Sequence, residues 1–263
     1  MQIIPPKRAA DCGRVSMLAS VVDAREATLC LEGGVDVIDC KDPSRGALGA
    51  VTPEAARAIV ETVGGRVPVS ATIGDHPCEV GPIVEATLQA AATGVDYVKT
   101  GFLPGGDAAE VVRALGRLRG ETGKAQIVGV LFADASPDFE LVAEMAAAGF
   151  AGVVLDTANK SDGALPDVLA VDQLEHFVEI ARAHEMFCGL AGSLRTRHIP
   201  ALVRLAPDLI GFRGALCCEN ARTGSLDLRA VVEIRDAIVK AEKIETDLMM
   251  SKAEELAREE RAS

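Results

Sequence analysis

Asp39 and Lys41 stand two residues apart at the end of the apolar run Val35-Asp36-Val37-Ile38-Asp39-Cys40-Lys41. On a strand, residues two apart point to the same face, so a carboxylate and an amine are offered together. The pattern returns twice downstream. Val95-Asp96-Tyr97-Val98-Lys99 ends in a lysine, and Ala151-Gly152-Val153-Val154-Leu155-Asp156 ends in an aspartate with Lys160 four residues on. Charges on apolar strands are costly to bury, which makes them candidates for chemistry. A lysine in partly apolar surroundings beside a second cation loses its proton more readily than a solvated one. The free amine can attack an aldehyde or ketone and form a Schiff base. The imine acidifies the neighbouring carbon, and carboxylates and a second lysine can move the proton. Asp39 is expected to hold or deprotonate Lys41.

The elements that must position these groups alternate. Ser16 to Val22 reads as a strand, followed by a helix that Asp23 caps, with Asp23-x-x-Glu26 as a capping box and Gly33-Gly34 as the stop. The opening run is the second strand, and Thr52-Pro53 starts its helix. Further strands are expected over 68–73, 96–100, 125–131, 152–155, 187–190 and 208–212. Helices are expected over about 79–92, from 106 to 119, and over 137–148, 172–183, 197–205 and 226–240, with a polar loop from the sixth strand through Asp167. Eight strand–helix units spaced by roughly 30 residues predict a single (β/α)8 barrel, which typically needs about 250 residues. A doubly wound open sheet is the rival, but no G-x-G-x-x-G follows the first strand. Residues 1–15 read as a leader, 16–241 as the barrel and 242–263 as a charged helical tail. In the tail, Ile244, Leu248 and Met249 form a short apolar stripe, which suits either a frayed terminal helix or a subunit contact in a homo-oligomer.

In such barrels the working residues lie at the C-terminal ends of the strands, and alternate strands feed one interior layer. Lys41, Lys99 and Asp156 end strands two, four and six, so they can converge. Each lysine alone could be a solvated strand-end charge; two lysines and two aspartates at equivalent ends favour a site. Strands seven and eight end in Ala191-Gly192-Ser193 and Gly211-Phe212-Arg213-Gly214. Barrels often bind phosphate at these two loops, so Gly192, Ser193, Arg213 and Gly214 are candidate anion ligands.

Composition limits the partners. A net charge of −12 over 263 residues argues against nucleic acid, which needs a basic face. It does not oppose a small anion in a locally positive site. There is no run of about 18 apolar residues to span a membrane, and no apolar segment follows Lys7 and Arg8 to make a signal peptide. Seven scattered cysteines without C-x-x-C read as reduced thiols of a cytoplasmic protein. Four histidines, none at ligand spacing, predict no zinc site.

Several blocks in order carry a family resemblance over about Ser16 to Lys240. They are Val35 to Pro43 with Gly46-Ala47-Leu48-Gly49-Ala50, then Asp96-Tyr97-Val98-Lys99-Thr100-Gly101 and Leu155-Asp156-Thr157-Ala158-Asn159-Lys160. Leu190-Ala191-Gly192-Ser193 and Gly211-Phe212-Arg213-Gly214-Ala215 complete the set. Together they resemble the (5-formylfuran-3-yl)methyl phosphate synthases. Cys40 stands where an aliphatic residue is usual in that family, and Asp42 where asparagine is expected. The resemblance implies condensation of two molecules of glyceraldehyde 3-phosphate into a phosphorylated furan aldehyde for methanofuran-type cofactors, releasing phosphate and water and using no cofactor. It places the Schiff-base lysine at Lys41, the proton-transfer lysine at Lys99, and further active-site groups at Asp39, Asp156 and Lys160. The spacing agrees with those roles: Lys41 has a carboxylate two residues away, whereas Tyr97 takes that place before Lys99. The residues alone would reach an aldolase-like barrel acting on a phosphorylated carbonyl compound. A class I aldolase or isomerase of sugar phosphates uses the same lysines. A metabolite sensor without turnover would need the anion loops but neither lysine, and a metal-dependent lyase would set its ion beside repelling ammonium groups.

Overall fold

The computed structural model describes residues 14–118 and 120–262. Eight parallel strands close into a barrel in sequence order. They are β1 (Ser16–Val21), β2 (Val37–Cys40), β3 (Val69–Thr72), β4 (Tyr97–Phe102), β5 (Gln126–Phe132), β6 (Gly152–Asp156), β7 (Phe187–Leu190) and β8 (Leu209–Phe212). Closure is made by β1 against β8, with Leu18 opposite Gly211. The helices are α1 (Ala24–Glu32), α2 (Pro53–Val63), α3 (Val80–Ala91), α4 (Ala108–Arg117), α5 (Leu141–Ala147), α6 (Leu165–Val168), α7 (Val171–Ala183), α8 (Ile199–Arg204) and α9 (Leu228–Ala262). The expected barrel is thus present. Of the leader, residues 1–13 lie outside the described residues.

Period-two alternation divides the core into two layers. Outward residues such as Ile38, Val98, Val153 and Ile210 pack beneath the helices with Ile59, Ile83, Leu115 and Phe177. Inward residues Leu18, Val37, Tyr97, Val128, Val154, Phe187 and Leu209 fill the barrel itself. Both faces of the sheet are covered, which is why the strands read as apolar runs.

Two differences from the expected elements have clear physical causes. Glu26 does not close a capping box on Asp23. Its backbone N–H donates to Asp23 Oδ1 at 2.8 Å, but its own carboxylate accepts from Val22 N and from Arg213. The last helix does not stop near residue 240: α9 continues through the tail to Ala262, with neither glycine nor proline to end it. Arg204 ties to Glu245 at 2.8 Å, and Glu242 accepts from Val15 N, so the first turns of the tail are docked. Beyond them Leu248, Met249 and Met250 are exposed.

The loop after β2 shapes the barrel mouth. Leu48 is buried and belongs to the interior cluster. A Cβ on Gly101 would come within 2.5 Å of Leu48 Cδ1 and 3.0 Å of Phe132 Cζ. Leu48, Phe132 and the bare backbone of Gly101 therefore plug the β4–β5 side. The open space lies over β6, β7, β8 and β1.

Candidate active site

That open space is a cavity of about 260 Å³, into which Lys41, Lys99, Asp156 and Lys160 all project. Each is set by its strand. Lys41 follows β2 directly, and its N–H continues the ladder to Val21 O at 3.0 Å. Lys99 is an inward residue of β4, opposite Thr72 of β3. Asp156 ends β6, and the loop that follows returns Lys160 onto it. Lys41, Lys99, Asp39 and Asp156 are each at most 7% exposed. Burying this many ions is costly, and such groups persist only when they are paired.

The pairing is crossed relative to the expectation from spacing. Asp39 does not hold Lys41. Its Oδ2 lies 2.8 Å from Lys99 Nζ, and the carboxylate also accepts from Ser20 Oγ at 2.9 Å and Ser70 Oγ at 2.7 Å. Lys99 is thus the lysine with a close carboxylate. Lys41 Nζ lies 3.5 Å from Asp156 Oδ2, the loosest ion pair of the cluster. Lys160 Nζ donates to Asp156 Oδ1 at 2.6 Å, and also to Thr157 O and to Thr157 Oγ1. A four-carbon stem lets Lys99 reach past β3 to Asp39, and spacing along one strand carries no sign of that contact.

The protonation states follow from the same geometry. Burial alone would raise the carboxyl of Asp39, but Lys99 and Lys41 outweigh it and hold the group below its usual range. Asp156 is likewise buried, and Lys160 and Lys41 hold it well below the carboxylate range. Burial lowers the Lys99 ammonium, and Lys41 lowers it further against the pull of Asp39. Lys160 is lowered by burial and by Lys41 and Arg222. The site therefore combines two fixed carboxylates with two amines, Lys99 and Lys160, that release protons more readily than solvated lysines.

Gly192, Ser193 and Gly214 line the cavity, and Gly192 and Ser193 both have positive φ. Arg213 lines the same cavity, but its side chain is already engaged by protein groups. Its guanidinium has five N–H groups, and all five meet protein acceptors: Glu26 Oε2 at 2.5 Å, Glu26 Oε1 at 3.2 Å, and the carbonyls of Ser20, Arg222 and Gly224. It clasps β8 to α1 and fixes the 222–224 loop, and has no N–H left for a phosphate. Two arginines outside the sequence expectation line the cavity beside it. Arg195 donates to Asn220 O at 3.3 Å, and Arg222 donates to Gly46 O at 3.0 Å across the mouth. A Cβ on Gly214 would lie 2.9 Å from Arg195 Nη1, so glycine there gives that guanidinium its room. Ser20 and Ser70, also missed, left one signal: both are hydroxyls at inward positions of strands flanking β2. Arg222 left none, since it stands in an ordinary turn.

A closed eight-stranded parallel barrel carries its buried lysines and carboxylates at the C-terminal mouth, the face where (β/α)8 barrels place their active sites. Solved structures agree on the fold. A 3-hexulose-6-phosphate synthase aligns with a TM-score of 0.62 at 18% identity, over 85% of this chain and all of that one. Phosphoribosyl anthranilate isomerase from Thermus thermophilus gives 0.59 at 16%, over 86% and 99%. Sequence comparison is more specific. Residues 17–235 match the family described as 4-HFC-P synthase. The chain is 43% identical to a Methylorubrum extorquens protein, over 86% of this chain and 92% of that one. It is 37% identical to the (5-formylfuran-3-yl)methyl phosphate synthase of Methanopyrus kandleri, over 86% and 99%. The chain belongs to the 4-HFC-P synthase family.

Proposed function

We propose that this protein condenses two molecules of glyceraldehyde 3-phosphate into (5-formylfuran-3-yl)methyl phosphate, with loss of phosphate and water, through a Schiff base on Lys41. The observation that carries the reading is the unequal hold on the three buried amines. Lys99 and Lys160 each lie within 2.8 Å of a carboxylate, whereas Lys41 is 3.5 Å from its nearest. The loosest amine lining the cavity is the best placed to attack a carbonyl carbon and expel water as the imine forms. Proton transfer at the carbon next to that imine needs a group able to accept and return a proton. Lys99, lowered by burial and backed by Asp39, supplies it. Asp156, shared by Lys41 and Lys160, supports the positive iminium.

The cavity's charge suits a phosphorylated substrate. Lys41, Lys99, Lys160, Arg195 and Arg222 line it, and Asp156 is the only carboxylate among its lining residues. A chain of net charge −12 thus concentrates positive charge at this mouth. Arg195 and Arg222, with Gly192, Ser193 and Gly214, are the proposed phosphate ligands. No helix among the described residues is long and apolar enough to cross a membrane, and we place the enzyme in the cytoplasm, supplying a furan for methanofuran-type cofactors. Incubation with glyceraldehyde 3-phosphate should release inorganic phosphate together with a near-ultraviolet furan-aldehyde absorbance. Release of a sugar phosphate with no such absorbance would assign an aldolase instead.

A further inference from the structure

One carboxylate outside the catalytic cluster has no part in the chemistry above, yet it holds the loop that delivers Lys160. Asp134 lies just after β5, in the turn Ala133–Ala135. Its Oδ1 accepts from Ala158 N at 2.7 Å and its Oδ2 from Asn159 N at 2.6 Å. Two successive backbone N–H groups are thus gathered by one carboxylate from the neighbouring strand's loop. Charge-assisted bonds of this kind are about twice as strong as neutral ones. The next residue in the chain is Lys160, whose Nζ sits 2.6 Å from Asp156.

The same device occurs at the other lysine loop. Asp75, just after β3, accepts from Ala47 N at 2.7 Å and Leu48 N at 2.9 Å, in the loop that follows Lys41. Here the carboxylate comes from the loop after the following strand, whereas Asp134 comes from the loop after the preceding one. Gly46 has φ +122, and a Cβ on it would lie 2.0 Å from Asp75 Oδ2, so this clamp depends on glycine at that position. A cavity with two of its lysines, Lys41 and Lys160, on loops needs those loops fixed, because a displacement of about 1 Å can cost roughly a hundredfold in rate.

We propose that Asp134 is a positioning residue: by bridging the N–H groups of Ala158 and Asn159 it fixes the β6 loop so that Lys160 reaches Asp156. The proposal rests on the site assignment above, but it is a statement about placement and can be read without turnover. The Lys160 side chain is only 13% exposed while it is held. Quantitative acylation of the full-length protein, with acetic anhydride and peptide mass mapping, reports its release directly. In Asp134→Ala, labelling of Lys160 should rise several-fold relative to wild type, while labelling of Lys99 stays constant. Asp134→Asn keeps one acceptor oxygen and should fall between the two. It also serves as the readout if the alanine variant does not fold. Unchanged labelling of Lys160 in the folded variant would overturn the proposal.

The kinetic arm is a double-mutant cycle. Asp134→Ala should lower kcat/KM with glyceraldehyde 3-phosphate by about tenfold to a hundredfold in the wild-type background, and by less than about twofold in Lys160→Ala, because an effect exerted through Lys160 vanishes with it. The acid limb of the pH profile should also move to higher pH, since Asp156 loses the close cation that lowers it most. Equal losses in both backgrounds would show that Asp134 acts elsewhere, and would also overturn the proposal. Wild-type activity of Lys160→Ala with raised Lys160 labelling in Asp134→Ala would instead uphold the clamp and refute the catalytic part given to Lys160.

Discussion

Replacing Arg213 by alanine separates two readings of the loop after β8: a substrate ligand would change binding, and a clasp would change folding. The magnitude follows from its contacts. Removing the guanidinium leaves the buried Glu26 carboxylate with Val22 N at 3.0 Å and Leu226 N at 3.4 Å, and strips a donor from the carbonyls of Ser20, Arg222 and Gly224. Breaking a buried pair by deleting one partner costs about 3–5 kcal/mol. The three carbonyls that lose a donor place Arg213→Ala toward the upper end. In a domain of this size that corresponds to a fall in Tm of roughly 10 °C. Urea unfolding followed by circular dichroism should show a midpoint lowered by roughly 1–2 M with little change in slope. A wild-type unfolding curve combined with a much higher KM would refute the clasp and restore Arg213 as a phosphate ligand.

The converse holds for Arg222. Arg222→Ala should raise KM by about tenfold to a hundredfold, the worth of one charge-assisted hydrogen bond of about 1.5–3 kcal/mol, with kcat nearly kept because phosphate is held in ground and transition states alike. Steady-state kinetics checks this, and an unchanged KM would remove Arg222 from the anion site. Stability should also fall in acid. Asp39 and Asp156 have folded pKa values below their unfolded ones, so their pairs contribute fully above about pH 4, the unfolded carboxylate value, and the contribution is lost as pH falls through the lower folded values. Urea titrations between about pH 5 and pH 2 should show this loss, and Asp156→Asn should flatten it. An equal slope in that variant would contradict the assignment.

The barrel was legible because its signal is repetitive: apolar runs alternate with helical stretches, and glycine or proline marks many of the joins. The end of α9 was misplaced although its signal was present, since no helix breaker occurs between Leu228 and Ala262. The members of the site were legible for a different reason. Lys41, Lys99, Asp39 and Asp156 interrupt buried strands, where ions are otherwise excluded. Their pairing was not legible. Spacing joins Asp39 to Lys41, but the reach of Lys99 past β3 joins it to Asp39, and that depends on barrel geometry. The Arg213–Glu26 pair was not legible either: Glu26 reads as part of a helix cap, and nothing in a linear sequence joins it to an arginine at the other end of the chain.

The most direct test of the unequal amines is borohydride reduction in the presence of glyceraldehyde 3-phosphate, followed by peptide mass mapping. The expected adduct is on Lys41 alone, lost in Lys41→Ala and still formed slowly at high pH in Lys99→Ala. An adduct on Lys99 or Lys160, with trapping retained in Lys41→Ala, would contradict the assignment of the imine to the least tightly held lysine.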